Sequence, residues 1–161
     1  MSIRRIVATG TFDILHTGHL YYLEESKKLG DELWVIVARD VNVRHKPRPI
    51  IPEEQRLEMV TALKPVDHAV LGDQDDMFRP IEEIKPDIIT IGFNQLFDET
   101  NLTRQLKERN LPAQVVRIGK FACGEVCSSR LVVERILAKR GHDHHHIVHE
   151  KTGSDRKISG T

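Results

Sequence analysis

The sequence predicts an α/β fold, a doubly wound sheet of five parallel strands with helices on both faces. Two observations lead to this prediction. Short runs rich in Val and Ile recur along the chain, and a segment with helical spacing of apolar residues follows each of them. Five alternations of strand and helix are typical of a parallel sheet with right-handed crossovers. At 161 residues, the chain is long enough for one such domain with a sizeable core.

The strands are predicted where apolar residues follow one another without polar alternation, as in strands buried on both faces. The five predicted strands cover residues 3–8, 33–38, 68–71, 87–91 and 114–118. Ligands of such sheets bind outside the carboxyl ends of the strands, so functional residues are expected directly after these runs.

The helices are predicted from apolar spacing and from their end signals. The first covers residues 18–29, and Gly30 suits a left-handed helix stop. The second covers residues 52–63; it opens on Pro52, and two glutamates follow at the positive end of the helix dipole. Three further helices are predicted over residues 77–84, 99–110 and 129–140.

The composition excludes several classes of partner. Acidic and basic residues balance at 24 each, so no overall charge favours nucleic acid or a membrane surface. No apolar run approaches the ~20 residues of a spanning helix, and the N-terminus lacks a signal-peptide pattern. Two cysteines are too few for a disulfide framework. We therefore expect a cytoplasmic, soluble protein.

The regular pattern covers residues 1–140 and stops there. Residues 141–161 carry five of the nine histidines and no periodic apolar face, which predicts a mobile tail after a single domain. Histidine-rich tracts can bind metals opportunistically. Ordinary solvated sequence is the plain alternative for this tail.

The segment GTFDILHTGH joins the first predicted strand to the first predicted helix. Such a junction can bind phosphate, because backbone N–H groups and the helix dipole point at the anion. Gly10 and Gly18 permit a close approach to the backbone. His16 and His19 add donors that can follow charge onto a leaving pyrophosphate.

Two other interpretations of His16 and His19 stay open on spacing alone. A metal pair is disfavoured, because two ligands are half a site and no third ligand is obviously placed to complete it. Two surface histidines that cap a helix are the plain alternative, since short motifs often match by chance.

HTGH with GTFD before it resembles the HxGH signature of the nucleotidyltransferase superfamily. Members carry a second signature of the form ISSTxI at a helix start near the C-terminus, and CSSRLV at residues 127–132 is similar to it. Ser128 and Ser129 match this signature, whereas Arg130 replaces its third hydroxyl residue. An Arg there could hold a β- or γ-phosphate through its forked donors.

The resemblance extends over nearly the whole predicted domain. LGDELWVIVARD, RPIIPEEQR and KPDIITIG follow in the family order. The pattern is most similar to the small glycerol-3-phosphate cytidylyltransferase-like enzymes, and within these to the archaeal FAD synthases. This resemblance implies a Rossmann-like nucleotidyltransferase fold and transfer of AMP from ATP to FMN. It also implies a divalent metal ion, for which we expect Mg²⁺, and a homodimer.

A basic segment follows the second predicted strand and contains Arg39, Arg44, Lys46 and Arg48. A solvated basic loop is the usual outcome for such a run, and a mobile flap over a triphosphate is the functional alternative. The resemblance implies that a lysine of this loop acts on phosphate. Lys46 is the best match, with Arg44 as an alternate.

Three further residues each have a functional and a plain interpretation. Arg56 matches a family arginine near the phosphate site, and it could equally pair with Glu53 on a helix surface. Asn94 lies in GFNQ, where cytidylyltransferases have a GDDW-like nucleotide contact; it could read a base edge or ribose, or be a turn residue. Phe121 could stack on a base or pack against the last helix.

Asp13 is as well suited to capping a turn as to binding a metal, because a single acid without partners is not a metal signature. We predict no metal-ligating residues. Cys123 and Cys127 lie directly before the second signature, and packing is favoured over catalysis for both. Archaeal FAD synthases similar to this chain also carry paired cysteines there.

The predictions for the site are as follows. The catalytic residues are His16, His19 and Lys46. The nucleotide-binding residues are Gly10, Thr11, Phe12, His16, Thr17, Gly18, His19, Arg56, Asn94, Phe121, Ser128, Ser129 and Arg130. Two rival functions stay open: synthesis of CDP-glycerol from CTP and glycerol 3-phosphate, and non-catalytic nucleotide binding on the same fold.

Overall fold

The structure is a computed structural model that describes residues 2–44, 47–122, 124 and 126–141. Its centre is a sheet of five strands, all parallel, in the order β3-β2-β1-β4-β5. The strands are β1 (Arg5–Gly10), β2 (Glu32–Val37), β3 (His68–Leu71), β4 (Ile88–Ile91) and β5 (Gln114–Arg117). The predicted five-stranded parallel sheet is confirmed.

Five helices alternate with these strands in the described part of the chain. They are α1 (Thr17–Lys27), α2 (Glu53–Thr61), α3 (Arg79–Ile84), α4 (Glu99–Glu108) and α5 (Ser129–Arg140). A 3₁₀ turn, Asp40–Asn42, follows β2. The alternation agrees with the sequence prediction, and the helix bounds differ from the predicted ones by at most two residues.

Both faces of the sheet are buried, which explains why the strand sequences do not alternate between apolar and polar. Ile6 and Ala8 point into one core, together with residues of α1 and α2. Val7, between them, points into the other core with Ile81 of α3 and Leu106 of α4. Complete burial of one such aliphatic side chain stabilises the fold by about 1.5–3 kcal/mol.

The prediction for Gly30, in the loop between α1 and β2, is wrong. The prediction was a left-handed helix stop, but no glycine among the described residues has a positive φ. α1 instead ends at Lys27, and its C-cap residue Lys28 has right-handed geometry. Gly30 is needed for space: a Cβ atom there would lie 2.7 Å from the carbonyl oxygen of Arg4 and 2.7 Å from the side chain of Ile6.

The strand order defines where a ligand can bind. β1 pairs with β2 on one side and with β4 on the other, so the chain changes direction across the sheet between β1 and β4. Loops from the carboxyl ends of these two strands separate at this switch point and leave a crevice. The buried Tyr22 links the two strands at this point. Its hydroxyl donates to the carbonyl oxygen of Thr90 in β4 at 2.8 Å and accepts the N–H of Thr9 in β1 at 3.2 Å, and burial raises its pKa to about 12.

Candidate active site

The first signature forms the start of α1. His16 is the N-cap residue, and its Nδ1 accepts a hydrogen bond from the Gly18 N–H at 3.1 Å. Burial lowers the pKa of His16, which favours the neutral ring. Since Nδ1 is an acceptor, the proton of the neutral ring is on Nε2, and that nitrogen can donate to a ligand. The capping interpretation and the phosphate interpretation are thus compatible on one side chain.

The second histidine is held by aromatic neighbours. The rings of His16 and His19 are stacked with centroids 3.8 Å apart, and the centroid of the Phe12 ring lies 5.3 Å from that of His19. Phe12 is buried and has a φ of 53°. A Cβ atom at Gly10 would lie 2.8 Å from the Phe12 ring. The close approach at Gly10 is therefore made by this ring, and Phe12 can face a nucleotide only through its backbone.

The second signature packs directly onto the first. A Cβ atom at Gly18 would lie 3.0 Å from the carbonyl oxygen of Cys127, so the glycine makes this approach possible. Ser129 Oγ donates to the carbonyl oxygen of Ile14 at 3.1 Å. Ser128 caps α5 by accepting the Leu131 N–H at 3.2 Å. The N-termini of α1 and α5 therefore lie side by side.

The junction has the electrostatic character of an anion site. Each helix N-terminus carries N–H groups without intrahelical acceptors and about half a positive charge from the helix dipole. Thr17 is the exposed first residue of α1. Arg130 is in the first turn of α5, and its side chain, 78% exposed, pairs only weakly with Glu134 at i+4. Both predicted signatures are thus brought together.

Arg56 is neither a helix-surface residue nor a partner of Glu53, which is a correction to the plain interpretation. Its side chain is completely buried. The guanidinium donates to the carbonyl oxygens of Ile51 at 2.8 Å and Ala38 at 2.8 Å, and also to the carbonyl oxygen of Thr11. It pairs with Asp40 at 2.6 Å. These contacts fix the GTFD loop against the end of β2, so Arg56 positions the site from inside the protein.

Asp13 caps a distant turn. Its two carboxylate oxygens accept the N–H groups of Ile50 at 3.0 Å and Ile51 at 2.9 Å. Asp13 therefore caps a turn, as one of the two interpretations has it, and the capped residues lie 37 and 38 positions further along the chain. Asp13 and Arg56 together hold residues 50–51 next to the GTFD loop.

The basic segment is only partly available for phosphate. Arg39 pairs with Glu53 at 2.9 Å and donates to the carbonyl oxygen of Gly72 at 2.6 Å. Arg44 and Arg48 are exposed. Lys46 lies outside the described residues, and so does Cys123. Cys127 is partly buried directly before Ser128.

Phe121 is placed differently from the plain interpretation of the sequence, whereas stacking on a base stays a prediction. Its ring stacks on Tyr21 of α1, with centroids 4.6 Å apart, and both rings are partly exposed. The plain alternative, packing against the last helix, is therefore replaced by packing against the first. The pair forms an aromatic surface on the α1 side of the second signature.

The loop after β4 is held by two residues that sequence reasoning missed, Gln95 within the loop and Arg117 on β5. Asn94 is exposed, as a ligand contact requires. Gln95 turns inward and bridges the Gly92 N–H at 2.6 Å and the carbonyl oxygen of Thr9 at 2.7 Å. Arg117, at the end of β5, donates to several carbonyl oxygens of the same loop. A charged residue that ends an apolar strand was the available signal for Arg117.

Comparison with known proteins gives consistent matches. Residues 7–150 match the cytidylyltransferase-like family. The chain is 70% identical to the FAD synthase of Methanoregula boonei over 141 residues, 88% of this chain and 95% of that protein. It is 62% identical to the FAD synthase of Archaeoglobus profundus over 134 residues, 83% and 86% of the two chains.

Solved structures share the fold. A Thermoplasma volcanium protein described as a lipopolysaccharide core biosynthesis protein matches with a TM-score of 0.72 and 49% identity, over 74% of this chain and 99% of that one. Pantothenate synthetase from Thermus thermophilus matches with a TM-score of 0.54 and 16% identity, over 81% of this chain and 61% of that one. The second likeness shows the fold alone.

The chain therefore belongs to the cytidylyltransferase-like family and, within it, to the archaeal FAD synthases. The predicted nucleotidyltransferase fold is confirmed. None of the helices in the described ranges is long and apolar enough to cross a membrane.

Proposed function

We propose that this protein is an FMN adenylyltransferase, which transfers AMP from ATP to FMN and releases FAD and pyrophosphate. The observation that carries the proposal is the junction of the α1 and α5 N-termini beside His16, at the carboxyl end of the central strand. FAD synthases at 62–70% identity over most of the chain supply the substrate pair.

The reaction is an in-line displacement. A phosphate oxygen of FMN attacks the α-phosphorus of ATP, the bond from that phosphorus to the bridging oxygen breaks, and pyrophosphate leaves with the bond electrons. No covalent enzyme intermediate is needed, because positioning and charge stabilisation lower the barrier. Negative charge increases on the leaving oxygens in the transition state, where preorganised donors act most strongly.

We assign the donors as follows. His16 offers its Nε2–H and His19 lies against it, so both can face the α-phosphate or the leaving group. The N-termini of α1 and α5, with the Ser128 and Ser129 backbone, receive the pyrophosphate end, and Arg130 reaches over it from solvent. Lys46 acts on the phosphates in this proposal, as the resemblance implies.

A divalent ion, Mg²⁺ in our proposal, would be held mainly by the substrate phosphates. In the described ranges no cluster of three or more His, Cys, Asp or Glu residues could hold a metal ion. Mg²⁺ commonly binds through substrate phosphates and water with few protein ligands. When bound, it would neutralise phosphate charge.

The cytoplasmic location and the homodimer also remain proposals. Light scattering of the purified protein measures its oligomeric state.

A product assay tests the function. Purified protein with ATP, FMN and Mg²⁺ should form FAD and pyrophosphate in equal amounts, as measured by chromatography and a pyrophosphate assay. CTP with glycerol 3-phosphate should react far more slowly. Formation of CDP-glycerol without FAD would reject the substrate pair and keep the mechanism, whereas no pyrophosphate from any pair would favour a binding module.

A further inference from the structure

The loop between β4 and α4, residues 92–97, has no regular secondary structure, yet its backbone is held at many points. Arg117 donates to the carbonyl oxygens of Gly92 at 2.9 Å, Gln95 at 3.2 Å and Phe97 at 2.7 Å. The same guanidinium pairs with Glu99, in the first turn of α4. One side chain from β5 therefore holds the loop at three of its carbonyl oxygens.

Gln95 adds a second restraint from inside the loop. Its Oε1 accepts the Gly92 N–H at 2.6 Å, and its Nε2 donates to the carbonyl oxygen of Thr9 at 2.7 Å. Thr9 is in β1, so this side chain connects the carboxyl ends of β1 and β4 directly at the switch point. The loop is thereby held in fixed register with the GTFD segment.

The loop does not need the hydrogen bonds from Arg117 and Gln95 to satisfy its polar backbone groups. An exposed loop can satisfy its carbonyl oxygens with water, and ordering an Arg and a Gln side chain costs conformational entropy. The side chains between the restraints face outward: Phe93 is 49% exposed, Leu96 is 89% exposed, and Asn94 is exposed. A rigid backbone that carries exposed side chains at a switch point is typical of a preorganised binding surface.

We propose that Arg117 and Gln95 are positioning residues that hold the loop of residues 92–97 in its nucleotide-binding conformation. They act through the loop and do not touch the reacting phosphates. The proposal rests on the proposed function for its ligand, ATP. It adds that these two side chains strengthen the binding of ATP and do not affect the rate of the chemical step.

The test compares Arg117→Gln with Arg104→Gln as a matched control. Arg104 lies on the exposed face of α4 and pairs with Glu108 at i+4, so its loss should change nothing in the loop. Hydrogen exchange of the loop amides is measured without substrate, and the Kd of ATP with Mg²⁺ is measured by calorimetry. KM for ATP and kcat are measured where FAD is formed.

Arg117→Gln should speed exchange of the loop amides by ~10-fold, since several hydrogen bonds to a charged group are lost. It should weaken ATP binding by ~10-fold with kcat within ~3-fold, because the loss is in ground-state binding. Unchanged exchange would overturn the positioning role. Faster exchange with unchanged Kd would overturn the assignment to nucleotide binding, and so would a fall in kcat at constant KM.

A second variant covers the case in which Arg117→Gln does not fold. Gln95→Met keeps the length of the side chain and removes only the bridge between Gly92 and Thr9, so it should give the same effects at smaller size. Unchanged exchange and Kd in this variant would reject the role of Gln95. If the wild-type protein makes no FAD, the proposed function fails, while exchange and calorimetry still decide this proposal.

Discussion

His16 uses its two ring nitrogens for different purposes. Nδ1 accepts the Gly18 N–H and caps α1, while Nε2 can donate to a ligand. Burial lowers the pKa of the ring, so the ring is neutral where a solvent-exposed histidine would begin to be charged. The residue is therefore a structural cap and a candidate catalytic donor together, and a substitution can separate the two roles.

His16→Asn should keep the cap and remove the donor. Asn is among the best N-cap residues, so the melting temperature should stay close to that of the wild type. The turnover number should fall by ~10²-fold or more, as it does when one transition-state donor is lost. His16→Ala should lower both quantities, and His19→Ala should lower kcat. Near-normal turnover in the Asn variant, measured by pyrophosphate release, would remove His16 from the mechanism.

The lowered pKa of His16 also predicts a pH dependence of stability. Its folded-state pKa is below the ordinary value of 6.5, so the unfolded chain binds more protons when the pH falls below that value. This contribution to the free energy of unfolding is present in full above that pH and is lost as the pH falls towards the folded-state pKa. Urea denaturation between pH 7.5 and 5, as a rough range, should show a smaller decrease for His16→Asn than for the wild type. If the free energy of unfolding decreases equally in both proteins, folding does not change the pKa of His16.

Arg56→Lys tests whether this residue is a positioning residue. A lysine keeps the charge but lacks the planar fork that serves four oxygen acceptors at once. Buried carbonyl oxygens would lose their donors, which costs about 1–3 kcal/mol each. Without substrate, the variant should therefore unfold at clearly lower urea concentration, and Arg104→Lys should not. If stability is unchanged while KM for ATP rises, Arg56 contacts phosphate directly, as the resemblance implies.

At the scale of elements, the site depends on how closely the starts of α1 and α5 approach each other. Gly18 allows this approach, because the Cys127 carbonyl oxygen and the His16 ring both lie 3.0 Å from the position of a Cβ atom. One methyl group there would force either the second signature or the His16 ring to move.

Gly18→Ala should therefore lower kcat by ~10-fold or more, since small displacements at a reacting centre are costly. The effect on stability should be modest, because both neighbours can shift by a few tenths of an ångström. Gly119→Ala is the matched control, as nothing lies within 4 Å of a Cβ atom there. Full activity of Gly18→Ala, measured by FAD formation, would contradict the close packing of the two signatures.

The elements were predictable because their signals are local. Continuous apolar runs identified all five strands, and the GTFDILHTGH segment identified the junction at the end of β1. Contacts between distant segments had no such signal: Asp13 reaches Ile51 across 38 residues, and Gln95 reaches Thr9 across 86. For Arg56 the helix-surface alternative stayed open, because periodicity cannot show that several carbonyl oxygens converge on one guanidinium.

At the scale of the whole molecule, the described contacts of the site all come from residues 9–134. β1 supplies the centre, α1 and α5 supply the anion-binding ends, and β4 and β5 supply the loop beside them. The 70% identity to the Methanoregula boonei FAD synthase covers 141 residues, 95% of that protein. Every helix and strand of the described ranges lies before residue 141, since α5 ends at Arg140.

Truncation after Gly141 should therefore leave catalysis unchanged. The prediction of a mobile tail over residues 141–161 falls almost entirely outside the described residues and stays a prediction. Its five histidines could bind Ni²⁺ or Zn²⁺ without any effect on the active site. We expect the truncated chain to match the full chain in kcat, in KM for ATP and in melting temperature. The two proteins are measured in the same buffer, which contains Mg²⁺ and a chelator of transition metals. A large loss of turnover or of melting temperature on truncation would show that the tail packs on the domain or supplies a residue to the site.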